Sequence, residues 1–528
     1  MAAKDSSEKA EIVEIASLDK GAPYGNLTAL AQAAATEHAM TPIQAMRTYW
    51  RAYLWCLFVC MGALLWGYDS QIGGGLLSIP AFRQDFGYTD GGQAILAASW
   101  QSAFNSAGSV GGMFGGLSLG YFSDKLGRRG AVAVACVISI GGVLIQFFTP
   151  KHNNGMLLAG KLINGFALGM FVSCAGGYCA EVSPLPLRGI STAGVNLGLG
   201  RNMSNGVIKG TGNRTDVYAY RIPFAFQWIF PVLLLAGLPF APESPWWLVR
   251  KGRNDDARKV LARLGGAAAD VKLQVQQIQE TIELEDSYAA TATYLDCFKG
   301  VSLRRTIVAM MVFVLQQCSG VIFVLGYSTY FFELAGIADS SAFNLGVGLT
   351  AVGVVGNLCT FYTVNRFGRR FIFNWGMAAC TVILMMIGFI WIDNTSGHAK
   401  WAISAFTIIY IFVFQTSIGP IGYVLFAEVS SAKLRSKTVG IGTWTNALCS
   451  MVVNIVLPYL INPDEANLGG YVGFIFGALS FIGTVWAWYF IPETKNRTVD
   501  ELDLLYEKQV PARQFGTHKL HENDPGEL

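Results

Sequence analysis

The chain has 528 residues, 52% hydrophobic and 14% charged, with a mean hydropathy of +0.40. A soluble domain averages about 25% charged residues, so this balance argues against a soluble enzyme and for a polytopic membrane protein. A dispersed net charge of +3 gives no basis for nucleic-acid binding, and ten cysteines without CxxC spacing offer neither a zinc site nor a redox pair.

In chain order, residues 1–50 are polar and mixed in charge and read as a cytoplasmic tail. They lack the apolar core of a cleavable signal, so the first helix is expected to direct insertion. Runs of about 20 apolar residues, enough to cross a ~30 Å hydrocarbon layer, follow at 52–74, 99–122, 131–149, 156–178, 190–210 and 223–241. These form a predicted N-terminal bundle, 51–241. Residues 242–304 are charged, with apolar positions at threes and fours, and read as a cytoplasmic linker of short helices. Six further runs at 305–331, 342–364, 371–392, 401–426, 436–461 and 469–491 form a second bundle, 305–491, before a cytoplasmic tail, 492–528.

Lys125, Arg128, Arg129, Arg188, Arg366, Arg369, Arg370, Lys433, Arg435 and Lys437 all fall in loops on one side, which should be cytoplasmic together with both termini. Lys209, Arg214 and Arg221 weaken the contrast on the opposite side, where "NRT" makes Asn213 a glycosylation sequon. The fold class expected is an all-α membrane protein of twelve helices.

One acid stands inside the first run, Asp69 in "LLWGYDSQIGGG". Such a charge costs ~2.5–3.5 kcal/mol on insertion scales and marks a functional site by default. A residue that exchanges protons within a pocket is one reading; a structural ion pair, or an acid that simply reaches water, are others. All five histidines fall outside the spans, so no His relay is expected. "GMLLAGKL" imitates a phosphate-binding loop, but Leu162 stands where a magnesium-binding hydroxyl is required, so nucleotide and cofactor are not expected.

The halves repeat. "GYFSDKLGRRG" and "TVNRFGRRF", "AEVSPLPLRG" and "AEVSSAKLRS", and "PESPWW" and "PETKNR" recur in the same order at an offset of roughly 240–250 residues. Two homologous six-helix bundles follow. The motifs place Asp124, Arg128, Arg129, Glu181, Arg188 and Glu243 at helix ends in one half, and Arg366, Arg369, Arg370, Glu428, Arg435 and Glu493 in the other. These could be gating salt bridges that close the inner side and break for release; static capping and topology are the alternative.

This ordered set, together with "LQQCSG" and "GYSTYFFE", resembles the sugar porter family of the major facilitator superfamily over about residues 50–515. "YRIPFAFQWIFP" and "LLYEKQVPARQF" are further similar to the fungal α-glucoside:proton symporters. The resemblance implies a proton-coupling pair at Asp69 and Lys161, the latter replacing the usual Arg. It implies substrate contacts from Gln316, Gln317, Asn196, Tyr423, Trp444 and Asn446, with Gly419 and Pro420 as a hinge. Ile322 stands where hexose-binding members carry Asn, which favours a differently shaped or larger substrate.

The expected function is secondary active transport of a hexose or α-linked disaccharide by alternating access with a proton, in the plasma membrane. The partners are sugar, proton and lipid, and the chain is expected to work as a monomer. Rivals are an uncoupled facilitator, a polyol or sugar-acid porter, for which Lys161 is the obvious pocket cation, and a non-transporting sensor.

Overall fold

Ten helices among the described residues are long and apolar enough to cross a membrane. One of them, Ala98–Phe147, runs to 50 residues. At 1.5 Å per residue that is about 75 Å, more than twice the hydrocarbon thickness, so it must hold two crossings. It breaks at Gly127, whose φ of 78° and ψ of 176° turn the chain back. With Leu199–Thr211, the described part of the fifth crossing, the expected twelve are accounted for. The computed structural model describes residues 42–90, 93–183, 199–212, 214–265, 271–291, 293–334, 336–337, 339–392, 397–431, 434–495, 497, 499–516 and 518.

The first half holds Trp50–Leu77, the double crossing, Asn154–Val182, Leu199–Thr211 and Tyr218–Phe240. In the second half the seventh crossing is divided into Gly300–Cys318, Val321–Gly326 and Ser328–Leu334, with Gly320 at φ 81° at the first break. Asp339–Phe367 and Arg369–Trp391 follow. The tenth crossing is Gly397–Thr416 and Ile418–Val429, broken at Ser417; Arg435–Ile461 and Gly469–Phe490 complete the half.

Lipid is as apolar as leucine, so close backbone approach does much of the work of helix association. Between the second and fourth crossings, a Cβ added at Gly115 would lie 1.9 Å from the Phe166 carbonyl oxygen, and one at Gly169 2.1 Å from that of Gly112. Only glycine at these places lets the two backbones touch.

Two features depart from the sequence reading. A two-stranded hairpin, Tyr88–Asp90 with Gln93–Ile95, interrupts the all-α pattern between the first two crossings. The segment expected to be a tail instead carries a helix, Val499–Glu507, with Leu502, Leu505, Tyr506 and Phe515 fully buried. It is pinned by Arg305, whose guanidinium pairs with Asp503 at 2.5 Å and lies 4.6 Å from the Tyr506 ring centre.

Candidate functional site

The repeated motifs build one device twice, at the end of the helices that carries the linker. In the first half Arg128 Nη2 donates to Glu181 Oε1 at 2.6 Å, and Ser244 Oγ donates to Glu181 Oε2 at 2.5 Å. Glu243 accepts the backbone N–H of Arg128 at 2.9 Å and of Arg129 at 3.3 Å. In the second half Arg369 grips Glu428 with Nη2 at 2.8 Å and Nε at 3.2 Å, while Thr494 Oγ1 donates to Glu428 at 2.5 Å. Glu493 accepts the N–H of Arg369 at 2.9 Å and of Arg370 at 3.2 Å. Each glutamate caps the start of a helix, where unpaired N–H groups and the helix dipole favour an anion.

Gly127 and Gly368 explain why the motif needs its glycine. Both have positive φ, 78° and 89°, and a Cβ there would lie 2.4 Å from Glu243 Oε2 and 2.6 Å from Glu493 Oε2. Burial pushes the Glu243 carboxyl above its ordinary value, against the pull of the backbone N–H groups of Ser244, Arg128 and Arg129.

Three parts of the gating expectation need correction. Both Arg–Glu bridges lie within a single half, and among the described residues no ion pair joins the halves at the linker end. The motif residues of each half surround that half's own helix ends. Asp124 is exposed and contributes only its backbone carbonyl, to Trp247 Nε1 at 3.2 Å. Arg366 is likewise exposed and uses its carbonyl, to Lys495 Nζ at 3.1 Å. Arg129 and Arg370 reach backbone carbonyls at Pro239 and Trp488. Arg188 lies outside the described residues; Arg435 begins its helix.

The halves meet at the opposite end. Arg83 pairs with Glu333 at 3.2 Å, and Asn205 Nδ2 donates to the Gly346 carbonyl at 2.9 Å. Asn462 receives Gln101 Nε2 at 2.6 Å and Tyr330 Oη at 3.1 Å, and donates to the Leu96 carbonyl at 3.0 Å. Asn105 donates to Tyr327 Oη. At Gly74 a Cβ would lie 1.6 Å from the Gly326 carbonyl oxygen, so the first and seventh crossings are in backbone contact. This end is sealed.

Beneath the seal stands Asp69, 7% exposed. Its Oδ1 accepts a hydrogen bond from Asn164 Nδ2 at 3.2 Å; Asn164 also donates to Gln227 at 2.9 Å and accepts from Ser139 at 2.8 Å. Lys161, 4% exposed, lies one turn before Asn164 on the same helix. No carboxylate among the described residues comes within 4.0 Å of its ammonium. The expected Asp69–Lys161 ion pair is therefore not formed here: the neutral Asn164 amide holds the carboxylate instead.

In the second half, Gln317 Nε2 donates to Asn446 Oδ1 at 2.7 Å, while Gln317 Oε1 is buried with no hydrogen-bond partner among the described residues. A buried acceptor left open is costly unless a donor fills it. Tyr423 stands edge-on to Phe313, ring centres 5.2 Å apart. Gln316 is differently employed: its amide donates to the Gly419 carbonyl at 3.0 Å and ties the seventh crossing to the broken tenth. Pro420 sits in the first turn after that break, where its missing N–H removes no helical bond. Trp444 precedes Asn446 by two residues, hence about 200° round the helix, and is exposed on a different face. Asn196, like the Asn213 sequon, lies outside the described residues.

Sequence reasoning missed Arg201. Its Nε donates to Ser70 Oγ at 3.4 Å, and its guanidinium lies 5.8 Å from the Trp66 ring centre. An ionisable residue in a run otherwise fit to span a membrane was the available signal.

Two six-helix halves joined by a linker, meeting at the end away from it through Arg83–Glu333 and Asn462, define a secondary transporter of the major facilitator type. The chain belongs to the family described as "Sugar (and other) transporter", which it matches over residues 55–506. It is 34% identical to the general alpha-glucoside permease of Saccharomyces cerevisiae over 499 residues, covering 92% of this chain and 80% of the relative. It is 31% identical to the maltose permease MAL31 of the same yeast over 497 residues, with the same coverage. Among solved structures it is similar to the inward open conformation of the xylose transporter XylE from E. coli, with a TM-score of 0.71, 21% identity, and 86% of this chain and 99% of that chain covered.

Proposed function

We propose that this chain carries an α-linked glucoside, a disaccharide in the first instance, into the cell together with a proton. The two yeast relatives support the substrate class by their names, an alpha-glucoside and a maltose permease. Ile322, in place of a further amide near the paired glutamines, suits a substrate longer than one ring. In this reading the linker end is cytoplasmic, the sealed end extracellular, and the host the plasma membrane. Each chain forms its cleft between its own halves, so it works as a monomer.

The observation that carries the coupling is Asp69: the one carboxylate in any apolar run, buried, and held by an uncharged amide. A strong ion pair would lock its charge, whereas a single neutral hydrogen bond leaves it able to take a proton and give it up. Protonation changes the charge held between the halves, so the free energy of closing around substrate depends on whether the proton is bound. Gln317, Asn446 and Tyr423 hold the sugar from the other side through hydroxyl hydrogen bonds and ring contact. Opening at the linker end then releases both.

The test is maltose uptake into proteoliposomes with an imposed pH gradient. Wild-type protein should concentrate maltose only when the gradient is present, and Asp69→Asn should exchange maltose without accumulating it. Accumulation by the variant equal to wild type would remove Asp69 from the mechanism.

A further inference from the structure

The charges around the cleft do not balance. Asp69 is the sole acid within the apolar runs, yet Lys161 and Arg201 both lie in those runs close to its level. Arg201 keeps its charge under any physiological condition. Among the described residues its one hydrogen bond runs from Nε to Ser70, which leaves both terminal NH2 groups without a protein acceptor. Gly200, its neighbour, packs so closely on the first crossing that a Cβ would lie 2.1 Å from the Leu64 carbonyl oxygen. That contact fixes the helix, and the Trp66 ring at 5.8 Å backs the guanidinium. Asn205, one turn further along, is committed to the seal, so Arg201 stands just beneath the closed end.

We infer that Arg201 is an anion subsite of the central cleft, and that the transported glucosides include those bearing a carboxylate. The inference rests on the reading that substrate binds in this cleft, and it narrows the substrate class. The guanidinium offers two parallel N–H donors in the geometry that a carboxylate accepts. Charge bookkeeping agrees. The empty cleft with Asp69 ionised carries one net positive charge, from two cations and one carboxylate. Protonating Asp69 raises this to two, and a substrate carboxylate restores it to one.

The experiment compares two ligands that differ only in that group: maltobionate, with a carboxylate, and maltitol, with a hydroxymethyl in its place. Their affinities for the purified full-length protein in detergent are measured by calorimetry at pH 7. Maltobionate should bind about tenfold more tightly than maltitol, the order expected for a charge-assisted hydrogen-bonded pair. Arg201→Gln should bring the ratio to about one, and Arg201→Lys should retain part of it. Equal affinities in wild-type protein, or a preference that survives Arg201→Gln, would overturn the inference while leaving the glucoside reading intact. If neither ligand binds and maltose uptake is also absent, both fall together.

Discussion

The two halves are nearly the same at the linker end and quite different at the cleft. Arg128–Glu181–Ser244 in one half is matched contact for contact by Arg369–Glu428–Thr494 in the other, and Glu243 over Gly127 by Glu493 over Gly368. At the cleft the first half supplies Asp69, Lys161 and Arg201, whereas the second supplies neutral groups, Gln317, Asn446 and Tyr423. Bracing a bundle is a task each half must perform for itself, so the repeat keeps it. Binding two different cargoes requires two different walls. On this reading the first half handles charge and the second handles hydroxyls.

Four experiments sharpen or break that division. The largest effect is expected at Asp69: Asp69→Asn should abolish pH-driven accumulation of maltose in proteoliposomes while preserving exchange. Next comes the neutral wall. Gln317→Ala removes the open acceptor and one hydrogen-bonding partner of Asn446, and should raise the KM for maltose about tenfold, the equivalent of ~1.4 kcal/mol, with proton coupling kept. Loss of coupling in that variant would show that the walls are not separate in function.

The symmetry of the braces is testable through their glycines. Gly127→Ala and Gly368→Ala each force a Cβ into a capping carboxylate at positive φ, and each should cost about 1–3 kcal/mol of stability, read as thermal unfolding in detergent. Unequal losses would mean that the matching geometry hides unequal loads. The smallest effect concerns pH. The folded value of Glu243 is raised above its unfolded one, so the folded state holds this proton more tightly. Its contribution is therefore fully present below the unfolded value, near 4.5, and declines as pH rises through the folded value. The melting temperature of wild type should fall slightly across that window relative to Glu243→Gln, and a rise would reverse the assignment.

Much of this was legible before any coordinates. Hydropathy located the crossings, because each must be about 20 apolar residues long. The recurrence of "GRR", "AEVS" and "PE[ST]" disclosed the two halves, and the Arg and Glu of those motifs do meet. Asp69 stood out by its cost alone. Other residues were misplaced because sequence gives neither direction nor partner. Trp444 and Asn446 sit two positions apart, yet a helix turns them to different faces. Lys161 and Asp69 were expected to pair, but Asn164, one turn along, reaches the carboxylate instead. Arg201 is hidden in the sequence because a positive charge reads first as a loop residue, and only packing shows its place against the first crossing.

By itself, then, the sequence determined that this chain spans a membrane as a doubled bundle, and which of its motifs repeat. Length, apolarity and internal likeness are properties of the string, and the bilayer reads them directly. The tertiary structure alone decided that the Arg–Glu braces lie within each half, that the halves meet at the end away from the linker, and that Arg201 lies against Ser70 and Trp66 of the first crossing. Those outcomes depend on helix rotation and on contacts between residues hundreds of positions apart. No local pattern encodes such contacts; only packing brings them together.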